Sequence, residues 1–258
     1  MTTPEERTPG EQLFEEYLRS QGLEFVHEKP FPGKRKHPDY SVPTGGLECL
    51  FEVKDATSQP QPGVAMFDPY EHYRERIKRA REKFKEFKGY PCALVVVPMG
   101  SLLLHDPKIV FGAMHGDVVL QARVDPRQGR LISPWTEKFG GRGLMTRPHW
   151  GEPQNTTISA VVVLRAVRIG VKRFVSRYLP QFGDNWKEHM EDEPTDFDKA
   201  EVGLGVAVYE NRDAAIPLPQ TVCVGHFDER WVLNDEGPTC IFEGAGVLEA
   251  KALTGHAD

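Results

Sequence analysis

His37-Pro38-Asp39-Tyr40, followed after a short turn by Phe51-Glu52-Val53-Lys54, puts two carboxylates and a lysine where one β-hairpin presents them together. Hard cations such as Mg²⁺ prefer carboxylate and carbonyl oxygens and keep several of their waters. An ion held in that way lowers the pKa of a bound water and stabilises charge on a phosphoryl oxygen. A neighbouring lysine positions or deprotonates the attacking water, or neutralises charge as it develops. The chemistry suited to this set is cleavage of a phosphodiester. Asp39, Glu52 and the backbone carbonyl of Val53 would be the ligands, and Lys54 would act beside them. A bare Glu-x-Lys is common on solvent-exposed hairpins. The information lies in the combination of Pro-Asp on one strand with an apolar-faced strand ending in Glu-x-Lys.

Five elements must position these groups. Leu47 to Lys54 alternates as a strand: Leu47, Cys49, Phe51 and Val53 form a core face, and Glu48, Leu50, Glu52 and Lys54 form the other. Asp39-Tyr40-Ser41-Val42 reads as its partner strand, with Pro43-Thr44-Gly45-Gly46 as the turn. A tight turn sets Val42 against Leu47 and Asp39 against Leu50. Asp39 and Glu52 are then diagonal neighbours, with Cα atoms roughly 7–8 Å apart. Upstream, residues 10–22 read as an amphipathic helix with Leu13, Phe14, Tyr17 and Leu18 as its stripe and Gly22 at its end. Glu11 sits at the border of that stripe and is expected to look toward the hairpin, with Glu15 and Glu16 pointing further outward. A first-turn acid favoured by the helix dipole is an equal reading of Glu11. Downstream, Asp68-Pro69 opens a helix to about Lys88 whose stripe is Tyr70, Tyr73, Ile77, Ala80, Phe84 and Phe87. The apolar run Cys92 to Met99 then completes a strand–helix–strand crossover.

The order of helix with an early Glu, helix-ending Gly, strand (Glu24 to Glu28), Pro-Asp and then Glu-x-Lys resembles the PD-(D/E)xK nuclease superfamily, which includes restriction endonucleases and Holliday-junction resolvases. The resemblance covers about residues 10–100 and rests on short motifs. It implies a restriction-endonuclease-like α/β fold: a mixed central β-sheet flanked by helices, here with additional C-terminal strands from about residue 150 within a single 258-residue domain. It implies Asp39 and Glu52 as metal ligands, Glu11 as the helix carboxylate supporting them, Lys54 as the catalytic lysine, and Mg²⁺, with Mn²⁺ as a substitute, as the cofactor. It also makes DNA the expected substrate. RNA is not excluded by the residues, because the contacts that recognise a 2′-OH are not legible in sequence. A homodimer would suit double-strand cutting. A catalytically silent nucleic-acid-binding module is the alternative, since the superfamily contains inactive members.

The net charge of −6 is unusual for a nucleic-acid enzyme, but its distribution is informative. Between Gln181 and Glu201 eight acids face two bases, so that segment alone accounts for the whole imbalance. Local patches must carry any phosphate contact. Lys34-Arg35-Lys36 runs directly into the Pro-Asp motif, and the 70–88 helix offers Arg74 and Lys78 among eight bases. Most of that helix face reads as a solvated surface laced with ion pairs. Arg142, in Phe139-Gly140-Gly141-Arg142-Gly143, is a further phosphate candidate, although a plain surface turn is the stronger reading. An acidic segment docking a basic partner is the second alternative function. The four cysteines form no CxxC, no apolar run reaches membrane-spanning length, and residues 1–10 are not a signal peptide, so a cytoplasmic location is expected. Residues 100–150 read as short strands with Gly- and Pro-rich loops. Strands are expected at Ile158–Leu164, Gly203–Glu210, Val222–Phe227 and Trp231–Leu233, with a short helix at Val171–Leu179.

Overall fold

The computed structural model describes residues 7–57, 68–99, 106–146, 152–168 and 202–248. The expected helix at 171–179 and the acidic segment 181–201 lie outside the described residues.

Helix α1 (Pro9–Ser20) forms because Thr8 and Glu11 close a capping box at its start and Pro9 occupies its first turn. It ends in a Schellman motif: Gly22, at φ +65°, donates to the Arg19 carbonyl and Leu23 donates to that of Leu18. Strands β1 (Val26–His27), β2 (Tyr40–Thr44) and β3 (Leu47–Thr57) follow as an antiparallel set. Helix α2 (Glu71–Phe84) carries the chain back to β4 (Cys92–Met99), which pairs parallel to β3 as the crossover requires. Helix α3 (Pro107–His115) and the separate hairpin of β5 (Asp117–Gln121) with β6 (Thr136–Gly140) come next. Strands β7 (Ala160–Arg168), β8 (Val202–Glu210), β9 (Glu229–Asn234) and β10 (Gly237–Glu243) complete the order. Eight strands make one mixed sheet, β1-β2-β3-β4-β7-β8-β9-β10. The architecture is therefore α/β with a mixed central sheet flanked by helices.

Alternation divides the core between the two faces of this sheet. Phe51, Val53, Val95, Val162 and Val208 pack with Phe14, Tyr17 and Leu18 of α1. Leu50, Leu94, Val96, Val161 and Tyr209 pack on the other face with Tyr73, Ile77 and Phe84 of α2 and Phe111 of α3. Strand β4 feeds both clusters, which is why its sequence is apolar at nearly every position.

Three sequence expectations are corrected. The hairpin turn is the dipeptide Gly45-Gly46, both at positive φ, so β2 extends to Thr44 and the register is Thr44↔Leu47, Val42↔Cys49 and Tyr40↔Phe51. Val42 therefore does not face Leu47, nor Asp39 Leu50. Residues 222–227 are a loop and not a strand. Their backbone is satisfied by buried side chains: Arg230 donates to the carbonyls of Pro219 and Val222, and Asp228 accepts from Gly225. Residues 107–115, expected among loops and short strands, form α3. Among the described residues no helix is long and apolar enough to cross a membrane.

Candidate functional site

One step beyond the last pair of the β2–β3 ladder, Tyr40↔Phe51, Asp39 comes level with Glu52. Pro38 ends the strand there, and the Asp39 carboxylate takes over the role of the missing ladder partner: Val53 donates its N–H to Asp39 Oδ2 at 2.7 Å. The N–H and C=O of one strand residue point to the same edge, so the Val53 carbonyl faces the Asp39 side. Glu52 leaves β3 on the Leu50 face, toward α2, and Lys54 follows two residues later on the same face.

These groups meet in one ion-pair cluster. Lys54 Nζ lies 2.7 Å from Glu52 Oε1 and 3.7 Å from Asp39 Oδ2. A second lysine, Lys83 of α2, donates to Asp39 Oδ1 at 2.8 Å and is in close contact with Glu52 Oε2. Asp39 and Glu52 are only 7 % and 3 % exposed, whereas the Lys54 and Lys83 side chains retain 33 % and 24 %. The carboxylates thus form the floor and the ammonium groups the solvent-facing rim.

The electrostatics of the two acids diverge. Burial works to raise the Asp39 carboxyl, but Lys54, Lys83 and the Val53 N–H together outweigh it and hold it below the usual range. Burial raises Glu52, the Asp39 charge raises it further, and the lysines offset only part of this. Burial lowers Lys83, yet the two carboxylates prevail and keep it protonated above the ordinary lysine range. The pair titrates as a unit that holds its last proton on the Glu52 side.

The donor set fits a hard divalent cation. Glu52 Oε2 is buried and, apart from the charge of Lys83, receives no aligned hydrogen bond. Asp39 and Glu52 share the same two lysines, and the Val53 carbonyl belongs to the strand edge whose N–H Asp39 caps. Among the described residues no group of three or more His, Cys, Asp or Glu side chains gathers as a metal cage. A cation here would therefore complete its shell with water, the habit of Mg²⁺.

The other expected residues lie elsewhere. Glu11 spends its carboxylate on the Thr8 N–H of its own capping box. Helix α1 covers the opposite face of the sheet from Glu52, so the sheet stands between Glu11 and the Asp39–Glu52 pair. The buried acid of α1 is Glu15, held by Arg7, Arg19 and the Tyr40 hydroxyl. Arg74 is buried and committed to Asp68 and Asp117, so its expected availability to phosphate is corrected. Arg142, although exposed, pairs with the same two acids. Lys78 is exposed. Lys34 lies over the Phe87 ring, and Lys36 donates to the Glu82 carbonyl, which ties the basic loop to the end of α2 beside Lys83.

Lys83 was not singled out by sequence because it is one base among eight on its helix. The legible signal is its position: with Arg76, seven residues earlier, it borders the Ile77–Ala80–Phe84 stripe.

No protein-family model matches the chain, and no curated protein matches it. Among solved structures it is similar to one titled "The structure of Pyrococcus Furiosus SfsA in complex with Ca2+", at 19 % identity and a TM-score of 0.19. The alignment covers 51 % of this chain and 61 % of that one, and likeness at this level carries no argument about fold family or function.

Proposed function

We propose that this protein is a divalent-metal-dependent nuclease with DNA as its substrate, built on a restriction-endonuclease-like core of β2, β3, α2 and β4. The observation that carries the reading is the convergence of Asp39, Glu52 and Lys54 in one cluster, with the Val53 carbonyl on the same edge. A Mg²⁺ or Mn²⁺ ion bound by these oxygens would lower the pKa of a water and offset charge on the scissile phosphate. The residues of the chain have distinct tasks. Asp39, ionised over the widest pH range, is the permanent anion. Glu52, paired with both lysines, supplies the second carboxylate. Lys54 reaches the rim from a rigid strand, where its ammonium can orient a water or meet charge developing on phosphate. The exposed Lys34-Arg35-Lys36 loop, beside the same end of α2, supplies sequence-independent phosphate contact. A homodimer of this chain would place two such sites on a duplex.

The test is Mg²⁺- and Mn²⁺-dependent cleavage of single-stranded, duplex, flapped and four-way DNA, and of RNA, by the wild type, Lys54→Ala and Glu52→Gln. The wild type is expected to cut at least one DNA form, and each variant is expected to lose on the order of 10²-fold or more. A second reading is a catalytically silent nucleic-acid-binding module. It is favoured by the fact that two lysines already neutralise both carboxylates. Binding without cleavage, equal in wild type and variants, would replace the first reading with the second.

A further inference from the structure

We infer that Lys83 is a built-in counter-cation occupying the place of the divalent ion, and that an ion enters this site by displacing the Lys83 ammonium. The inference rests on the reading of Asp39 and Glu52 as cation ligands and extends it to the residue that controls access to them.

Three observations carry it. The first is geometric: one nitrogen, Lys83 Nζ, contacts Oδ1 of Asp39 and Oε2 of Glu52 together, the bridging position a shared cation would take. Lys54 is one-sided by comparison, 2.7 Å from one carboxylate and 3.7 Å from the other. The second is mechanical. Arg76, two helical turns before Lys83, donates twice to the Asp55 carbonyl, at 3.2 and 2.7 Å, and so pins α2 across the end of β3. The Lys83 stem is thereby aimed at the carboxylates by two fixed elements, while its side chain keeps 24 % of its surface at the solvent margin. The third is charge balance. Two carboxylates and two ammonium groups already sum to zero, so a divalent ion joining all four would leave the pocket doubly positive. Departure of one ammonium relieves this, and the departing group would be the one in contact with an oxygen of each carboxylate.

The experiment is calorimetric titration of Mn²⁺ alone, without nucleic acid, into wild type, Lys83→Met, Glu52→Gln and Lys85→Met. Lys85 is an exposed lysine of the same helical region, paired with Glu82, and controls for general loss of positive charge. Lys83→Met is expected to bind Mn²⁺ about tenfold more tightly, the effect of one close ionic contact no longer in competition. Lys85→Met is expected to match wild type within about twofold, in keeping with an exposed pair, and Glu52→Gln should lose binding. Unchanged or weaker binding by Lys83→Met, with loss in Glu52→Gln, would overturn the counter-cation role and leave the metal site standing. Undiminished binding by Glu52→Gln would instead remove the metal site itself. If Lys83→Met does not fold, wild-type protein with ¹³C-labelled lysine serves. On Mg²⁺ saturation the Lys83 ε-methylene resonance should move to that of an exposed lysine, and a stationary resonance would overturn the inference.

Discussion

Asp228 does for the second half of the sheet what Asp39 does for the first, lending its carboxylate to a strand N–H. Its Oδ1 accepts from Val206 at 2.9 Å, and its Oδ2 accepts from Gly225 and, at 2.6 Å, from the Tyr17 hydroxyl. Among the described residues no lysine pairs with it in the way Lys54 and Lys83 pair with Asp39, and burial raises its carboxyl above the ordinary range despite these donors. Asp228→Ala should cost about 3 kcal/mol in urea unfolding, because three buried donors lose their acceptor; Asp228→Asn, which keeps one carbonyl oxygen, should cost less. His115 gives the clearest pH signature. Its Nδ1 hydrogen-bonds Thr146 Oγ1, whose hydroxyl donates to Asp213. Burial, and then the charge of Arg212, bring the imidazole down to about 3. The unfolded chain therefore binds a proton that the folded chain refuses between pH about 6.5 and about 3. Stability from this group is complete above the upper value and is lost as pH falls through the window, by up to about 1.4 kcal/mol per unit. Unfolding free energies measured across that range should show a shallower acid limb in His115→Leu.

At the scale of elements, the turn between β2 and β3 decides whether the site exists. Gly45 and Gly46 sit at φ +59° and +80°, and their two-residue loop sets the register that brings Asp39 level with Glu52. Gly46→Val should destabilise the protein by about 1–2 kcal/mol, the cost of a left-handed L-residue. Gly45→Asn should be nearly neutral, since Asn-Gly suits the same turn. A chemical-denaturation series on both variants checks this. The hairpin, α2, β4, β7 and β8 were legible because their apolar residues keep a clear period or a buried run. The register was not, because Pro43 and Thr44 read as turn residues when the two glycines alone suffice. Helix α3 escaped because Pro107–His115 is short and apolar nearly all round, which leaves no polar face to mark a helical period. The 222–227 loop reads as a strand because Val222, Cys223 and Val224 favour one; what overrides them is the demand of Arg230 and Asp228 for backbone partners. Asp39, Glu52 and Lys54 could be brought together from sequence since a single hairpin carries them. Which face α1 would cover, and hence where Glu11 would point, depends on packing that no local pattern encodes.

For the molecule as a whole, the bridge made by Lys83 sets an order of assembly. Asp39 and Glu52 are joined by a local hairpin, a unit that closes in microseconds. Lys83 reaches them only after α2 has crossed over and β4 has paired beside β3, a slower, non-local step. The nascent hairpin therefore begins as a pair of repelling acids and acquires its second ammonium late. An interaction absent from the folding transition state acts on the unfolding rate alone. Lys83→Met should accordingly leave the folding arm of a chevron plot where it is and raise the unfolding arm. The same lysine that guards the pocket in the native state would then also be a latch on its lifetime.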